Sequence, residues 1–262
     1  MVPVLERTFI YDNGACMKNK GYTFAINRLE TQLHRYYRKH GSEGYILLYD
    51  FSKFYENVDH DLIRYILNRL FSDERNLQMI DNILATFGKG LGLGSQISQI
   101  LALASANALD HQAKEVMKIE GYARYNDDGY MIHPSKKYLQ KCLKYMERIC
   151  NILHIKLNKK KTQIVKLTHG FKFLKARVYL TKTGKVIKKI GKKNIVRERR
   201  KIKKLRKRLD AGLIDWEHIK MQYQSWRSWT ANFNAYWTIQ NMDKLFSLTY
   251  KEQLKMEKEA VA

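Results

Sequence analysis

Apolar residues recur along this chain with two periods, and the switches between them outline helices alternating with short strands. Ala25, Leu29, Leu33 and Tyr36 stand at spacings of four, four and three, which predicts an amphipathic helix closing near Gly41. Tyr45 to Tyr49 is an unbroken apolar run ending on Asp50, as expected for a strand covered on both faces whose last residue emerges at the sheet edge. Leu62, Ile63, Ile66, Leu67 and Leu70 form a second helical stripe, with Asp59 placed to cap it. "GLGLGSQISQ", Gly90 to Gln99, is a glycine-rich turn running into "ILALASANALDHQAKEVM", whose alanines predict a helix that other backbone can approach closely. Tyr122 to His133 predicts a hairpin, with Asp128-Gly129 as its turn. Leu139, Cys142, Leu143, Met146, Ile149 and Leu153 give the next helix, and Gln163–Val165 and Phe171–Leu174 further short strands.

That order of elements is the split βαβ, ferredoxin-like arrangement of the α+β class. Strands one and two then run parallel with strand three inserted between them. Asp50 and the Asp127–Asp128 pair are thereby expected to meet at one edge. Carboxylates forced together repel, and a divalent metal makes such a cluster tolerable. Two Mg²⁺ ions roughly 3.5–4 Å apart can bridge the attacking and leaving oxygens of an in-line displacement, so nucleotidyl transfer is the inferred chemistry. An isolated "DDG" is more often an ordinary solvated turn; the convergence with Asp50 reverses that preference in favour of the metal.

Composition narrows the partners. The 262 residues, 45% of them hydrophobic, can bury a core of one large or two small domains. Their 49 Lys and Arg against 25 Asp and Glu give a formal charge of +24, which makes a polyanion the natural partner, with an anionic membrane surface as rival. No stretch approaches the ~20 apolar residues of a membrane span and no secretory pattern follows Met1, so a cytoplasmic protein is expected. Cys16, Cys142 and Cys150 are too few and wrongly spaced for a zinc site or disulfide framework, and read as reduced thiols. Lys182 to Arg208 holds 15 Lys or Arg against one acid, Glu198, and Ile195, Ile202, Leu205 and Leu209 lay an apolar seam along it as a basic helix. Beyond it lie all four tryptophans, Trp216, Trp226, Trp229 and Trp237, which suit the core of a small helical bundle more often than base stacking.

With these residues in hand, the chain resembles a prokaryotic reverse transcriptase over roughly residues 9 to 180. "YNDD" at Tyr125 to Asp128 is similar to the family's Y-x-D-D box, and "DFSKFYENVDHD" from Asp50 to its first metal-binding block. "LGSQISQ" from Leu93 occupies the place of the block Q-G-x-x-x-S-P. "LNKKKT" at Leu157 to Thr162 and "GFKFLKARV" at Gly170 to Val178 resemble the blocks that close the palm, and "FIYDNGACMKNKGYTFAI", Phe9 to Ile26, a fingers block.

The resemblance implies a palm over 45–180 with a fingers element around 72–95, partial fingers over 1–44, and a basic helical thumb over 181–262 holding a template–primer duplex. Asp50 and Asp127 would be the principal metal ligands for Mg²⁺ or Mn²⁺, Asp128 a neighbouring one, and Phe51 a ligand through its carbonyl. Tyr55 falls where the family keeps an aromatic that clashes with a ribose 2′-hydroxyl, so deoxynucleotides are the expected substrate; a core aromatic at a helix start is the other reading. Lys18 and Lys20 would grip the triphosphate, although an exposed basic turn looks the same. Lys161, beside two other lysines, would give a proton to the departing pyrophosphate. Leu93, Gly94 and Gln99 would lie by the nascent base pair.

The chain also departs from the family pattern. Leu93 and Gln99 replace the usual Gln and Pro, a combination similar to reverse transcriptases of diversity-generating retroelements, which copy a template RNA with frequent errors at adenines and work with a small basic accessory protein. Simple apolar packing of Leu93 would instead leave fidelity unaffected. Lys175 stands where the block commonly ends in glycine, and only eight residues precede Phe9, where relatives carry another fingers block, so a fragment or minimal fingers is expected. The overall expectation is a mutagenic retroelement enzyme copying RNA from a DNA primer, with no membrane role. A group II intron-like or phage-defence reverse transcriptase, a non-catalytic nucleic-acid-binding scaffold and a two-metal nuclease are the alternatives.

Overall fold

The computed structural model describes residues 1–261. They divide into two compact units: Met1–Leu174 with Tyr179–Val186, and Lys175–Val178 with Ile187 onward. In the first unit, α1 (Val2–Thr8) and α2 (Tyr22–His40) precede β1 (Tyr45–Asp50); α3 (His60–Asn68), α4 (Glu74–Phe87), α5 (Gln96–Ser105) and α6 (Asn107–His111) lead to β2 (Gly121–Tyr125) and β3 (Asp128–His133); α7 (Lys136–Ile152) and β4 (Gln163–Lys166) follow. The four strands order as β2-β3-β1-β4, every neighbour antiparallel. β1 and β2 therefore run parallel with β3 between them, as the element order predicts.

Burial explains the composition of β1, whose residues after Tyr45 are all buried. Leu47 and Tyr49 join Met131, Leu139, Cys142 and Met146 in the principal core, with Leu101 and Leu103 of α5. α2 ends at Gly41, and Asp59 caps α3 by accepting from the Asp61 N–H at 2.8 Å.

Two expectations need correction. The hairpin turn is Asn126-Asp127, not Asp128-Gly129: Tyr125 pairs with Asp128, and Asn126 takes the left-handed φ of 53° that such a turn demands. Gly129 lies inside β3, and a Cβ there would strike the ring of Tyr49 on the neighbouring strand. Nor is the alanine-rich stretch one helix: it breaks at Ala106 and passes through a π-turn at Gln112–Val116.

The strands β5 (Phe171–Phe173), β6 (Ala176–Leu180) and β7 (Val186–Ile190) form a second sheet in that order. The start of the basic region is thus a strand, with Gly184 turning at φ 81°, and the basic helix α8 spans only Lys192–Asp210. α8 is followed by α9 (Trp216–Thr230), α10 (Tyr236–Thr249) and α11 (Lys251–Val261). Ile202, Leu205, Ile219, Tyr223, Met242, Phe246 and Tyr250 form their core, with Trp216 and Trp226 packed against it. Trp229 sits edge-on to Phe233, whereas Trp237 is 75% exposed.

Candidate active site

The antiparallel register sets Asp50, the last residue of β1, directly opposite Asp128, the first of β3. Opposed residues in such a pair have Cα atoms roughly 4.5–5.5 Å apart. Asp127 occupies the adjoining turn, and its carbonyl accepts from the Phe51 N–H at 3.0 Å. Asp50 is 3% exposed. Its carboxylate accepts from Lys161 Nζ at 2.6 Å and Asn158 Nδ2 at 2.9 Å, and its carbonyl from the Asn158 N–H at 2.8 Å. Asn158 was not singled out in the sequence; only its place in "LNKKKT" hinted at it.

Electrostatics record the crowding. Burial pushes the Asp128 carboxyl up to about 6, and the charges of Asp127 and Asp50 add to the shift. Asp127 moves up through burial first and then the charge of Asp50. The hydrogen bond to Asp50 raises Lys161. Among the described residues no three His, Cys, Asp or Glu side chains are gathered tightly enough to hold a metal ion. The Lys161 ammonium is paired with the Asp50 carboxylate. The donor chemistry fits a hard divalent ion, since oxygen ligands are what Mg²⁺ takes and a cation would offset the burial and like charge that raise Asp127 and Asp128.

The other expected residues surround this edge unevenly. Tyr55, half-buried on a short 3₁₀ turn, has its hydroxyl pushed up to about 12 by burial and by the neighbouring Cys16 and Asp127. Its carbonyl accepts from the Leu91 N–H at 2.8 Å, and Gly90, at φ 66°, lies so close to the carbonyls of Tyr55 and Glu56 that a Cβ would collide with them. His60 Nε2 pairs with the Gly90 carbonyl at 2.6 Å. The glycine-rich turn is therefore pinned beside Tyr55. Leu93 is 81% exposed. Gly94, at φ 94°, faces open space, and Gln99 is half-buried on α5. Lys18 is exposed. Lys20 is committed locally: its ammonium donates to the Tyr11 and Asn13 carbonyls at 2.8 and 2.9 Å, and burial lowers its pKa.

Beneath the acidic turn lies a buried network that the sequence did not reveal. Asp110 on α6 and Arg124 on β2 are 0% and 1% exposed and pair bidentately, Nε to Oδ1 at 2.8 Å and Nη2 to Oδ2 at 2.6 Å. The Tyr122 hydroxyl donates to the same carboxylate at 2.6 Å and meets the Tyr49 hydroxyl at 2.8 Å. Arg124 Nη1 donates to the Asn126 carbonyl at 2.9 Å, at the turn itself.

Comparison with known proteins identifies the family and the fold. The sequence profile of the family described as "Reverse transcriptase (RNA-dependent DNA polymerase)" matches residues 7–178. No curated protein sequence matches the chain. Among solved structures, telomerase from Candida albicans in complex with a TWJ fragment of telomeric RNA superposes with a TM-score of 0.51 at 13% identity, covering 71% of this chain and 35% of that one. Apo telomerase from Candida tropicalis truncated from its C-terminal domain gives 0.56 at 12% identity, covering 72% and 44%, and the fuller apo form 0.53 at 11%, covering 71% and 39%. At such identities the likeness is one of fold. The chain spans less than half the length of those telomerase chains.

Proposed function

Because this chain belongs to the reverse transcriptase family, with the mixed α+β palm of that family, we propose that it is an RNA-directed DNA polymerase extending a primer 3′-hydroxyl on an RNA template from deoxynucleoside triphosphates. The observation that carries the reading is the register that faces Asp50 with Asp128 and sets Asp127 in the adjoining turn. On this reading residues 45–180 are the palm, 1–44 partial fingers and 181–262 a basic thumb that takes the duplex by its phosphates.

Asp50, Asp127 and Asp128, with the Phe51 carbonyl, would hold two Mg²⁺ ions, or Mn²⁺ in their stead. When bound, such ions favour the primer alkoxide and neutralise charge on the leaving phosphate. The protein's own groups do the rest. Lys161, within reach of Asp50, is assigned the proton delivered to departing pyrophosphate, and Tyr55 excludes a 2′-hydroxyl. Lys18 is the freer candidate for the triphosphate, Lys20 being held by two carbonyls.

The exposed Leu93 supports the finer reading of a mutagenic, diversity-generating retroelement enzyme, aided by a small basic accessory protein. With Gly94 and Gln99, it would meet the nascent base pair by shape without a hydrogen bond. Extension of oligo(dT) on poly(rA) by the parent but not by Asp127→Asn is expected. Extension surviving that substitution would sink the assignment, whereas no extension by the parent with duplex binding intact would favour a non-catalytic scaffold. Errors spread evenly over all four template bases would count against the mutagenic subtype.

A further inference from the structure

We infer that Asp110 is a positioning residue for the acidic turn, bracing it from below on both sides; the inference rests on the polymerase reading for its functional consequence. One arm runs through Arg124, whose Nη1 holds the carbonyl of Asn126, the residue before Asp127, at 2.9 Å. The other runs through Tyr122 to Tyr49, whose ring fills the space under Gly129, the residue after Asp128. Both arms end on one carboxylate oxygen: Oδ1 accepts from Tyr122 at 2.6 Å and from Arg124 Nε at 2.8 Å. A further contact, Arg124 Nη2 to the Leu103 carbonyl at 3.2 Å, ties the guanidinium to α5. Asp110, Arg124, Tyr122 and Tyr49 are at most 2% exposed, and the bond to the Asn126 carbonyl is part-buried.

A buried ion pair is weak evidence for a stability role, because an apolar pair of similar volume often serves the fold as well or better. What apolar residues cannot do is grip a carbonyl at the tip of a hairpin. Asp110 touches no substrate on this reading; it acts through Arg124 and Tyr122 on the acids that do.

The test compares the full-length parent with the paired Asp110→Leu, Arg124→Met variant and with Arg124→Lys, which keeps the charge for Asp110 but lacks the planar fork that also reaches Asn126. Thermal unfolding, Mn²⁺ binding by the resonance of the free ion, and primer extension are measured on each. Both variants are expected to unfold near the parent's temperature yet to bind Mn²⁺ about 10- to 100-fold more weakly, as losses of groups that orient metal ligands do, with kcat falling and KM for nucleotide held. Parent-like Mn²⁺ binding and kcat in either folded variant would overturn the brace, and Arg124→Lys decides alone should the paired variant not fold. Weakened Mn²⁺ binding in a protein whose parent never extends a primer would keep the brace and defeat the polymerase reading.

A second inference rests on a separate cavity, at the far end of the hairpin from Asp127. There α2 and the ends of β2 and β3 enclose about 510 Å³, lined by Arg28, Arg35, Lys39, Lys114 and Lys118, with Glu120 the lone acid. Glu120 is paired with Lys39 at 2.6 Å, and Asp12 takes both Arg28 and Lys114. Arg35 and Lys118 have no carboxylate partner among the described residues. We propose that this cavity, of a size suited to a small ligand, binds phosphate oxyanions, of a free nucleotide or of an RNA strand.

Protection of Lys114 from amine acylation, read by mass spectrometry with ATP or a short RNA, tests it. Protection that is lost on Arg35→Glu supports the site, ATP or RNA naming the source. No protection by either, or protection unchanged by Arg35→Glu, overturns it.

Discussion

Asp128 keeps its proton towards neutral pH because burial and two neighbouring acids oppose its charge. Its folded pKa of about 6 stands above the ordinary value near ~3.9. The unfolded chain therefore binds fewer protons than the folded one between these values, and stability falls as pH rises from about 4 to about 6. In the metal-free protein Asp128→Asn should remove that fall and gain about 1 kcal/mol at pH 7, after discounting for partial exposure. Unfolding temperatures of parent and variant followed from pH 4.5 to 7.5 in chelator check it; parallel curves would contradict the argument. The same substitution should abolish extension, so stability and activity are expected to move in opposite directions, as at sites that hold like charges together for function.

At the scale of elements, the hairpin is shaped by what lies beneath it. Gly129 is glycine because the Tyr49 ring occupies the position of a side chain, and that ring is fixed by its buried hydroxyl contact with Tyr122. Gly129→Ala should cost about 1–3 kcal/mol, the usual range for overpacking a core, and should lower extension more than binding of the duplex. Chemical denaturation together with a primer-extension assay measures both; an alanine variant with parental stability would mean that Tyr49 has room to move. The glycine-rich turn obeys a similar constraint. Gly90, in a left-handed conformation against the carbonyls of Tyr55 and Glu56, fixes the approach of that turn to Tyr55.

For the whole molecule, the proposed association with template–primer is expected to follow charge. α8 carries Lys203, Lys204 and Lys207 on exposed positions, while Ile202 and Leu205 face the helical core. Replacing the three lysines by serine should leave the fold intact and reduce the slope of log affinity for template–primer against log salt by about 2–3, roughly one per lost phosphate contact. An unchanged slope would place the phosphate contacts elsewhere. No helix among the described residues is long and apolar enough to cross a membrane.

Local periodicity and composition sufficed for the run closing on Asp50, the stripe of α2, the cap at Asp59, the Asp127–Asp128 pair and the basic segment, because each is written in neighbouring residues. The order of those elements also implied β3 between β1 and β2, since a split βαβ connection leaves few other arrangements. Tertiary structure alone decided the rest. The turn falls at Asn126-Asp127 because a ring on another strand demands the glycine at 129. Asn158 and Lys161 reach Asp50 across 108 and 111 positions, and Asp110 finds Arg124 through a break in the alanine-rich helix. Hydrogen bonds and ion pairs between distant residues leave no period in the sequence; only the packed chain brings donor to acceptor, and that is where the acidic edge acquired its support.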